Sequence, residues 1–384
     1  MQYTKRSFVT LDGLRGIAAF AIVTRHAKIY FESASINPDI NIPSYTIGPF
    51  FESYLAVDFF FVLSGFVLAH AYGERLTGKM SAIDFMKVRI VRLYPLYFVA
   101  LIWSVPLIVL TLFSKGFTTA FNFTFALMFL PSAASMTVLY PFNEPAWSLF
   151  YELIANAGFG MMWRRIKGRA LIPIVIIAAI VLIISVPTGM LGFRSGSGAM
   201  DAGANWQSIG AGFARVAYSF FVGVLIYQIW MFRKPPISVS PFIMGAILCV
   251  MLASHPLNQY QTAYDLTATL VVFPLLIWLG ASSVASGFTA RVFALLGAVS
   301  FGVYVLQVPL YRLTVLALGK IYPEGVDDLG WVCGVCFIVF VFVTALILDR
   351  YFDRPIRKLI SSRMFRASAT GPERDREADG KHPV

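Results

Sequence analysis

An arginine and a histidine interrupt the first apolar stretch of the chain, and their spacing suggests shared chemistry. The stretch reads TLDGLRGIAAFAIVTRHAKIY and carries Arg15 near its start and His26 near its end. On an α-helix their separation is about three turns, so both side chains share one face some 16 Å apart. Ionisable groups in a membrane helix usually face the bundle interior and mark a functional path. The imidazole is a candidate general base.

A second apolar stretch, AVDFFFVLSGFVLAH, carries a carboxylate at the depth of the histidine. As a helix that enters from outside, it places Asp58 level with His26, and Ser64 and Gly65 near mid-depth. A carboxylate beside an imidazole orients its tautomer and raises its basicity. We therefore expect Asp58 to orient His26; the alternative is a buried ion pair that only packs two helices. The glycine would let a helix or a ligand come close.

Basic side chains collect at the inner end of the third stretch, DFMKVRIVRLYPLYF. Arg89 and Arg92 are three apart and share a helical face, and Arg15 lies at the same depth. Arginine presents a planar fork that binds phosphate oxygens with two hydrogen bonds. These residues either form a phosphate site or anchor the helix ends in the inner interface.

The stretch NEPAWSLFYELIANAGFG places a carboxyl group inside another apolar run. Glu152 and Ser148 are four apart and share a face, at the outer level with His26. A carboxylate there is costly unless it is paired or neutral, and Arg215, in a later apolar run, is a candidate partner. The pair is either structural or part of a site in which Glu152 is a second candidate base.

Composition indicates a polytopic α-helical membrane protein. Of the 384 residues, 58% are apolar and 13% are charged, whereas a soluble domain has about a quarter charged residues. Mean hydropathy is +0.72. We predict an all-α integral membrane protein with about ten transmembrane helices. The predicted spans are residues 11–30, 54–73, 90–113, 146–163, 170–187, 210–230, 240–254, 266–281, 293–317 and 329–350.

The distribution of Lys and Arg predicts an N-in and C-in orientation, because most of them, including the cluster at 164–169, then lie inside. The net charge of +11 reflects this topology and contact with anionic lipid, not nucleic-acid binding. Residues 117–140 are apolar enough to span, but a span there would invert all that follows. We interpret them as an external loop that dips into or lies on the membrane, and 187–205 as an external loop.

The expected domain organisation is a transmembrane domain over residues 1–360 and a disordered cytoplasmic tail over 361–384. Cys249, Cys333 and Cys336 all lie in apolar runs. The last two form a CxxC without a second pair or a nearby histidine, so we expect no metal site.

Five segments, in the same order along the chain, resemble the membrane-bound acyltransferase-three family of carbohydrate O-acyltransferases. They are LDGLRGIAAFAIVTRHA (11–27), VDFFFVLSGFVLA (57–69), RIVRLYPLYF (89–98), PAWSLFYEL (145–153) and SFGVYVLQVPL (300–310). The resemblance implies a ten-helix core, a cytoplasmic acyl-coenzyme A donor and an acceptor sugar on the far side. It also implies that Arg15 and His26 are essential and that Arg89 and Arg92 serve the donor.

Two departures from the family pattern bear on mechanism. Many members carry a histidine where this chain has Gln307, so we give that position no catalytic role. Some members carry a C-terminal extracytoplasmic hydrolase-like domain, and the short stretch after the last predicted span leads us to expect the form without it.

The sequence thus predicts an O-acyltransferase of the bacterial inner membrane that moves an acyl group, most simply acetyl, to a glycan or lipid-linked sugar. The co-substrate is acyl-coenzyme A, without a metal. The candidate catalytic residues are His26, Asp58 and Glu152. The candidate donor-binding residues are Arg15, Arg89, Arg92 and Ser64. The candidate acceptor-binding residues are Ser148, Trp147 and Arg215.

The expected partners are the lipid bilayer and the acceptor, with a homo-oligomer left open. The competing function is a proton-coupled transporter of a small anionic metabolite, with His26, Asp58 and Glu152 as a relay. No inverted repeat is visible in the sequence, which argues against a transporter.

Overall fold

The computed structural model describes residues 8–32, 50–135, 137–166, 168–194, 199–321 and 330–369. Within these ranges the chain is helical, and its β-structure is one isolated bridge between Val138 and Asn205. Two π-helical segments, Ala268–Val272 and Asp349–Asp353, join helices end to end. The helices are α1 Val9–Glu32, α2 Ala56–Thr77, α3 Ala82–Trp103, α4 Val105–Leu127, α5 Ala146–Ile166, α6 Leu171–Thr188, α7 Ile209–Phe232, α8 Pro241–Ala253, α9 Gln261–Thr267, α10 Phe273–Gly280, α11 Gly287–Ile321, α12 Gly330–Leu348 and α13 Arg354–Ala369.

Six helical stretches in the described ranges are long and apolar enough to cross a bilayer. The composition-based prediction of an all-α, multi-pass membrane protein is therefore confirmed, while the count of about ten crossings and the orientation stay predictions. The six are Ser53–Thr77, Gly168–Thr188, Trp206–Phe232, Asn258–Gly280, Gly287–Leu318 and Val332–Arg363.

Helix directions agree with a chain that crosses back and forth. α1 and α11 pack in parallel, because Gly13 faces Phe293 and Arg15 bonds to Ser300 further along both helices. Parallel neighbours require an odd number of crossings between them. With α9 and α10 counted as one crossing and α4 not crossing, the described helices between α1 and α11 supply seven crossings, an odd number.

The segment 117–140 is partly helical, where the sequence led us to expect a loop. α4 continues to Leu127, with a kink at Gly116 where φ is 44°. The hydroxyls of Tyr94 and Tyr97 donate to the carbonyls of Leu127 and Ala126. α4 therefore ends beside the middle of α3, and the chain returns from there to the start of α5.

Two further boundaries differ from the predicted ones. The third span, predicted as 90–113, ends at Trp103, because Pro106 in the first turn of α4 has no N–H to continue the α3 ladder. The sequence predicts a disordered tail from residue 361, but α13 continues past this point to Ala369. Residues 370–384 lie outside the described part of the chain.

α2 and α7 run parallel and touch through two glycines. A Cβ added at Gly65 would overlap the carbonyl oxygen of Phe220, and one added at Gly223 would overlap that of Val62. Small residues let membrane helices approach closely where lipid offers no hydrophobic driving force between them. Of the two roles that the sequence left open for Gly65, the structure shows helix packing.

Replacing Gly65 by alanine should therefore separate α2 from α7. We expect a loss of about 1–3 kcal/mol, typical of overpacking, measured by thermal unfolding of the purified protein in detergent. Gly158→Ala is the matched control, since a Cβ there meets nothing within 4 Å. It should be neutral or stabilising because alanine favours helix. Equal stability of the two variants would contradict this packing.

Orientation can be tested with single cysteines at two exposed arginines. In a background that lacks Cys249, Cys333 and Cys336, Arg194→Cys should react with an impermeant thiol reagent on intact cells. Arg165→Cys should react only after permeabilisation, because it lies in the basic cluster predicted to be cytoplasmic. The reverse pattern would show that the orientation is inverted.

Candidate active site

One cavity gathers many of the residues that the sequence analysis selected. We call it the inner cavity, and α1, α2, α3, α5 and α11 line it. Its remaining surface is mostly apolar and comes largely from α2, a composition typical of ligand sites. The selected residues in its wall are Arg15, Ser64, Arg89, Arg92, Ser148 and Glu152.

Glu152 is paired inside the inner cavity with Arg89, so the candidate pairing with Arg215 is wrong. Arg89 Nη2 donates to Glu152 Oε1 at 2.9 Å, and Ser64 Oγ donates to the same oxygen at 2.7 Å. The charged side chains are only 13% and 16% exposed. Glu152 therefore lies at the level of the arginines and not at the outer level.

Arg15 is fixed by α11 at the edge of the inner cavity. Its Nε donates to Ser300 Oγ at 2.8 Å, and its Nη2 donates to the Gly297 carbonyl at 2.7 Å. Asp12 Oδ1 lies 3.1 Å from the same Nη2. The guanidinium is thereby held in one orientation, as recognition of an anion requires.

Positive charge exceeds negative charge in the wall of the inner cavity. Three arginines face one carboxylate among the described lining residues. Arg89 Nε is buried and has no hydrogen-bond partner in the described structure. A buried donor without an acceptor is costly, so this atom is available to an anionic ligand.

Asp58 and Arg215 form a buried ion pair with each other. Arg215 Nη2 lies 2.7 Å from Asp58 Oδ2, and the side chains of Arg215 and Asp58 are 1% and 0% exposed. Ser219 also donates to Asp58, and Arg215 donates to the carbonyls of Ala202 and Tyr54. A charge buried this deeply is tolerated because every neighbour satisfies it. The pair ties α2 to α7 and to the loop before α7.

His26 is oriented by Gln307, so the expectation that Asp58 orients it is wrong. Gln307 is fully buried, and its Nε2 donates to the Tyr304 carbonyl at 3.2 Å. This turns Gln307 Oε1 towards His26 Nδ1, which lies 3.2 Å away. Nδ1 then carries the proton of the neutral imidazole, and Nε2 keeps the lone pair.

The sequence analysis assigned Gln307 no catalytic role, because many members of the family carry a histidine at this position. The useful signal was its position on the polar stripe of α11, which also holds Ser300 and Tyr304. Ser300 binds Arg15 and Gln307 binds His26. One face of α11 therefore orients both ionisable groups of α1.

His26 stands one helical turn beyond the inner cavity. Tyr304 lines the cavity, and its hydroxyl lies 2.7 Å from Ser148 Oγ. Gln307 follows Tyr304 by three residues and reaches His26. Ser148 and Tyr304 thus separate the arginines from the imidazole.

A second, polar cavity lies at the start of α5, beside Trp147. We call it the outer pocket. Asp201 in its wall lies 3.7 Å from Arg25, the neighbour of His26 in α1. Trp147 also lines it and stacks with Arg215 at 5.5 Å. The wall consists of Trp147, Gly192, Arg194, Asp201, Ala202, Ala204, Asn205, Gln207 and Ser208.

Comparison with known proteins gives a family match over most of the chain. The model described as an acyltransferase domain, that of the acyltransferase-three family, matches residues 8–349. "Protein 2 in picA locus" of Rhizobium radiobacter is 36% identical over 196 residues, 46% of this chain and 94% of that protein. No solved structure matches the chain.

Asp58→Asn should destabilise the fold, because it leaves Arg215 buried and uncompensated. We expect a loss of about 3–5 kcal/mol, seen as a lower unfolding temperature and yield in detergent. Glu144→Gln is the control, since the ion pair of Glu144 with Arg312 is exposed and worth about 0–1 kcal/mol. An Asp58→Asn protein with normal stability and no activity would contradict this structural role and show that Asp58 is needed for catalysis.

Proposed function

We infer the function from one premise: the chain belongs to the acyltransferase-three family, whose model covers residues 8–349. It is a multi-pass membrane acyltransferase. We propose that its donor is acyl-coenzyme A, most simply acetyl-coenzyme A, bound from the cytoplasm. The acceptor is a hydroxyl group of a glycan or lipid-linked sugar at the outer face of a bacterial inner membrane.

The observation that carries the donor proposal is the meeting of Arg15, Arg89 and Arg92 in one cavity. Guanidinium groups suit phosphates because they offer two parallel donors in a plane. The apolar wall supplied by α2 suits the long uncharged arm of coenzyme A. Arginines that served only to fix the membrane orientation would be spread along the inner interface and would not line a single cavity.

Glu152 and Ser64 then act on the donor side. Their shared hydrogen bonds hold Arg89 Nη2 in place, and the buried Nε of Arg89 remains for a phosphate oxygen. We propose Glu152 as a residue that positions Arg89 and not as a base.

His26 is the proposed base on the acceptor side. Its Nε2 takes the proton of the acceptor hydroxyl, whose oxygen attacks the thioester carbonyl and displaces the thiolate of coenzyme A. The imidazolium then returns that proton to the thiolate. A route in which Nε2 carries the acyl group briefly uses the same geometry. In both routes the acyl end must pass Ser148 and Tyr304, which stand between the donor cavity and the imidazole.

The outer pocket is the proposed entrance for the acceptor. Its wall combines an indole, a guanidinium, a carboxylate, amides and a hydroxyl, groups that hydrogen-bond to many hydroxyls of a sugar. The ion pair between Asp201 and Arg25 joins this pocket to the helix turn that carries His26. Trp147 lines the outer pocket, which supports its proposed role on the acceptor side, and the Arg215 guanidinium packs against its ring.

The geometry disfavours a proton-coupled transporter. The proposed relay needs His26, Asp58 and Glu152 in succession, but each has a separate partner. These partners are Gln307, Arg215 and Arg89, respectively. Incubation of membranes with labelled acyl-coenzyme A discriminates the two functions, because an acyltransferase releases free coenzyme A and a carrier does not.

His26→Gln should abolish transfer while coenzyme A binding stays normal, because Arg15 lies about 16 Å away along α1. A positioned base contributes a factor of about a hundred to ten thousand, so release of free coenzyme A should fall at least that far. Gln307→Leu should be intermediate, since the base remains but its tautomer is no longer fixed, while Gln307→Glu should retain more activity. His70→Gln is the control. Full activity in His26→Gln would contradict the proposal that His26 is the base.

A further inference from the structure

A carboxylate beyond the matched family region is shared between two arginines. Asp353 closes the π-helical segment Asp349–Asp353 and is 1% exposed. Arg357 Nη2, one turn further on α13, lies 2.6 Å from Asp353 Oδ2. Arg92 Nη1, on α3, lies 3.6 Å from the same oxygen. The match to the family model ends at residue 349, four residues before Asp353.

The two contacts of Asp353 differ in kind. The distance to Arg357 is that of a short charge-assisted hydrogen bond, whereas the distance to Arg92 is an ion pair beyond hydrogen-bond range. Asp349 adds a second carboxylate 3.8 Å from Arg357. Arg357 therefore anchors Asp353, while Arg92 is attracted to it and keeps its hydrogen-bond donors for another anion.

Arg92 is held from two sides at the wall of the inner cavity. Its guanidinium lies 5.6 Å from the centre of the Phe301 ring, and Asp353 attracts it from the α12–α13 junction. The side chain is still 34% exposed. The guanidinium of Arg92 is thus held in one direction, while its N–H donors stay exposed for a ligand.

A second observation points to a ligand. Asp353 Oδ1 is buried and has no hydrogen-bond partner in the described structure. A carboxylate that served only to fasten two helices would gain by using both oxygens, because an unsatisfied buried acceptor is costly. π-Helical turns occur frequently at functional sites. The unsatisfied Oδ1 thus marks Asp353 as more than a fastening between two helices.

We propose that Asp353, anchored by Arg357, is a positioning residue for Arg92 and that the α12–α13 junction completes the phosphate-binding end of the donor site. The inference rests on the proposed function, since it assumes that Arg92 binds the phosphates of acyl-coenzyme A. Asp353 loosely neutralises Arg92 in the empty site, and a phosphate replaces it there without disturbing the Arg357 contact.

The test is the KM for acetyl-coenzyme A and the affinity for coenzyme A of purified full-length variants in detergent. Asp353→Asn should raise the donor KM about tenfold, as expected when one charged contact worth about 1.4 kcal/mol is lost, with kcat within twofold of normal. Arg354→Ala is the matched control, because Arg354 is exposed and pairs with Asp349. It should leave both constants unchanged.

A charge-swapped variant separates positioning from stability. Asp353→Arg combined with Arg357→Asp restores an opposite-charge pair between the π-helical segment and α13 but places a cation beside Arg92. We expect correct folding by size-exclusion chromatography and a donor KM still raised about tenfold or more. A normal KM in the swapped protein, or in Asp353→Asn, would overturn the inference.

The failure of this inference can be told from the failure of the proposed function. If Arg92→Ala raises the donor KM and the Asp353 variants do not, Asp353 has only a structural role. If the unaltered protein binds no coenzyme A, the donor proposal itself is wrong and this inference falls with it.

Discussion

The cost of burying charge in apolar surroundings is the constraint on which this structure depends. A charged side chain inside a membrane helix is stable only when a partner satisfies it. Asp58 and Arg215 meet that demand completely, with every described neighbour engaged and almost no exposure. Arg15, Arg89 and Arg92 meet it only in part, and they share one cavity. Complete pairing fixes the fold, and incomplete pairing leaves charges that can bind a ligand.

The same constraint explains how the two ends of the proposed reaction are joined. Gly65 and Gly223 bring α2 against α7, and this contact carries the buried ion pair. α11 runs parallel to α1 and supplies Ser300 to Arg15 and Gln307 to His26. This pair of helices thus holds the proposed anion-binding group and the proposed base at a constant separation, as transfer between two faces of a membrane requires.

Much of this could be predicted from the sequence, but not which charges would pair. Helical rise gives the depth of a residue, so the sequence alone places Arg15, Arg89 and Arg92 at one level. Depth says nothing about which neighbour packs against which face. Asp58 and His26 share a predicted height, yet α7 brings Arg215 to the carboxylate and α11 brings Gln307 to the imidazole. The predicted level of Glu152 is wrong for a different reason: it lies one turn further along α5 than Ser148, beside Arg89.

The central claim is that the inner cavity holds the phosphates of the acyl donor. A cryo-electron microscopy map of the protein in lipid nanodiscs with coenzyme A tests it most directly. We expect density for the phosphates within hydrogen-bond reach of Arg89 and Arg92, with the thiol end directed past Ser148 towards His26. Coenzyme A bound outside this cavity, or a cavity that stays empty at saturating coenzyme A, would contradict the account.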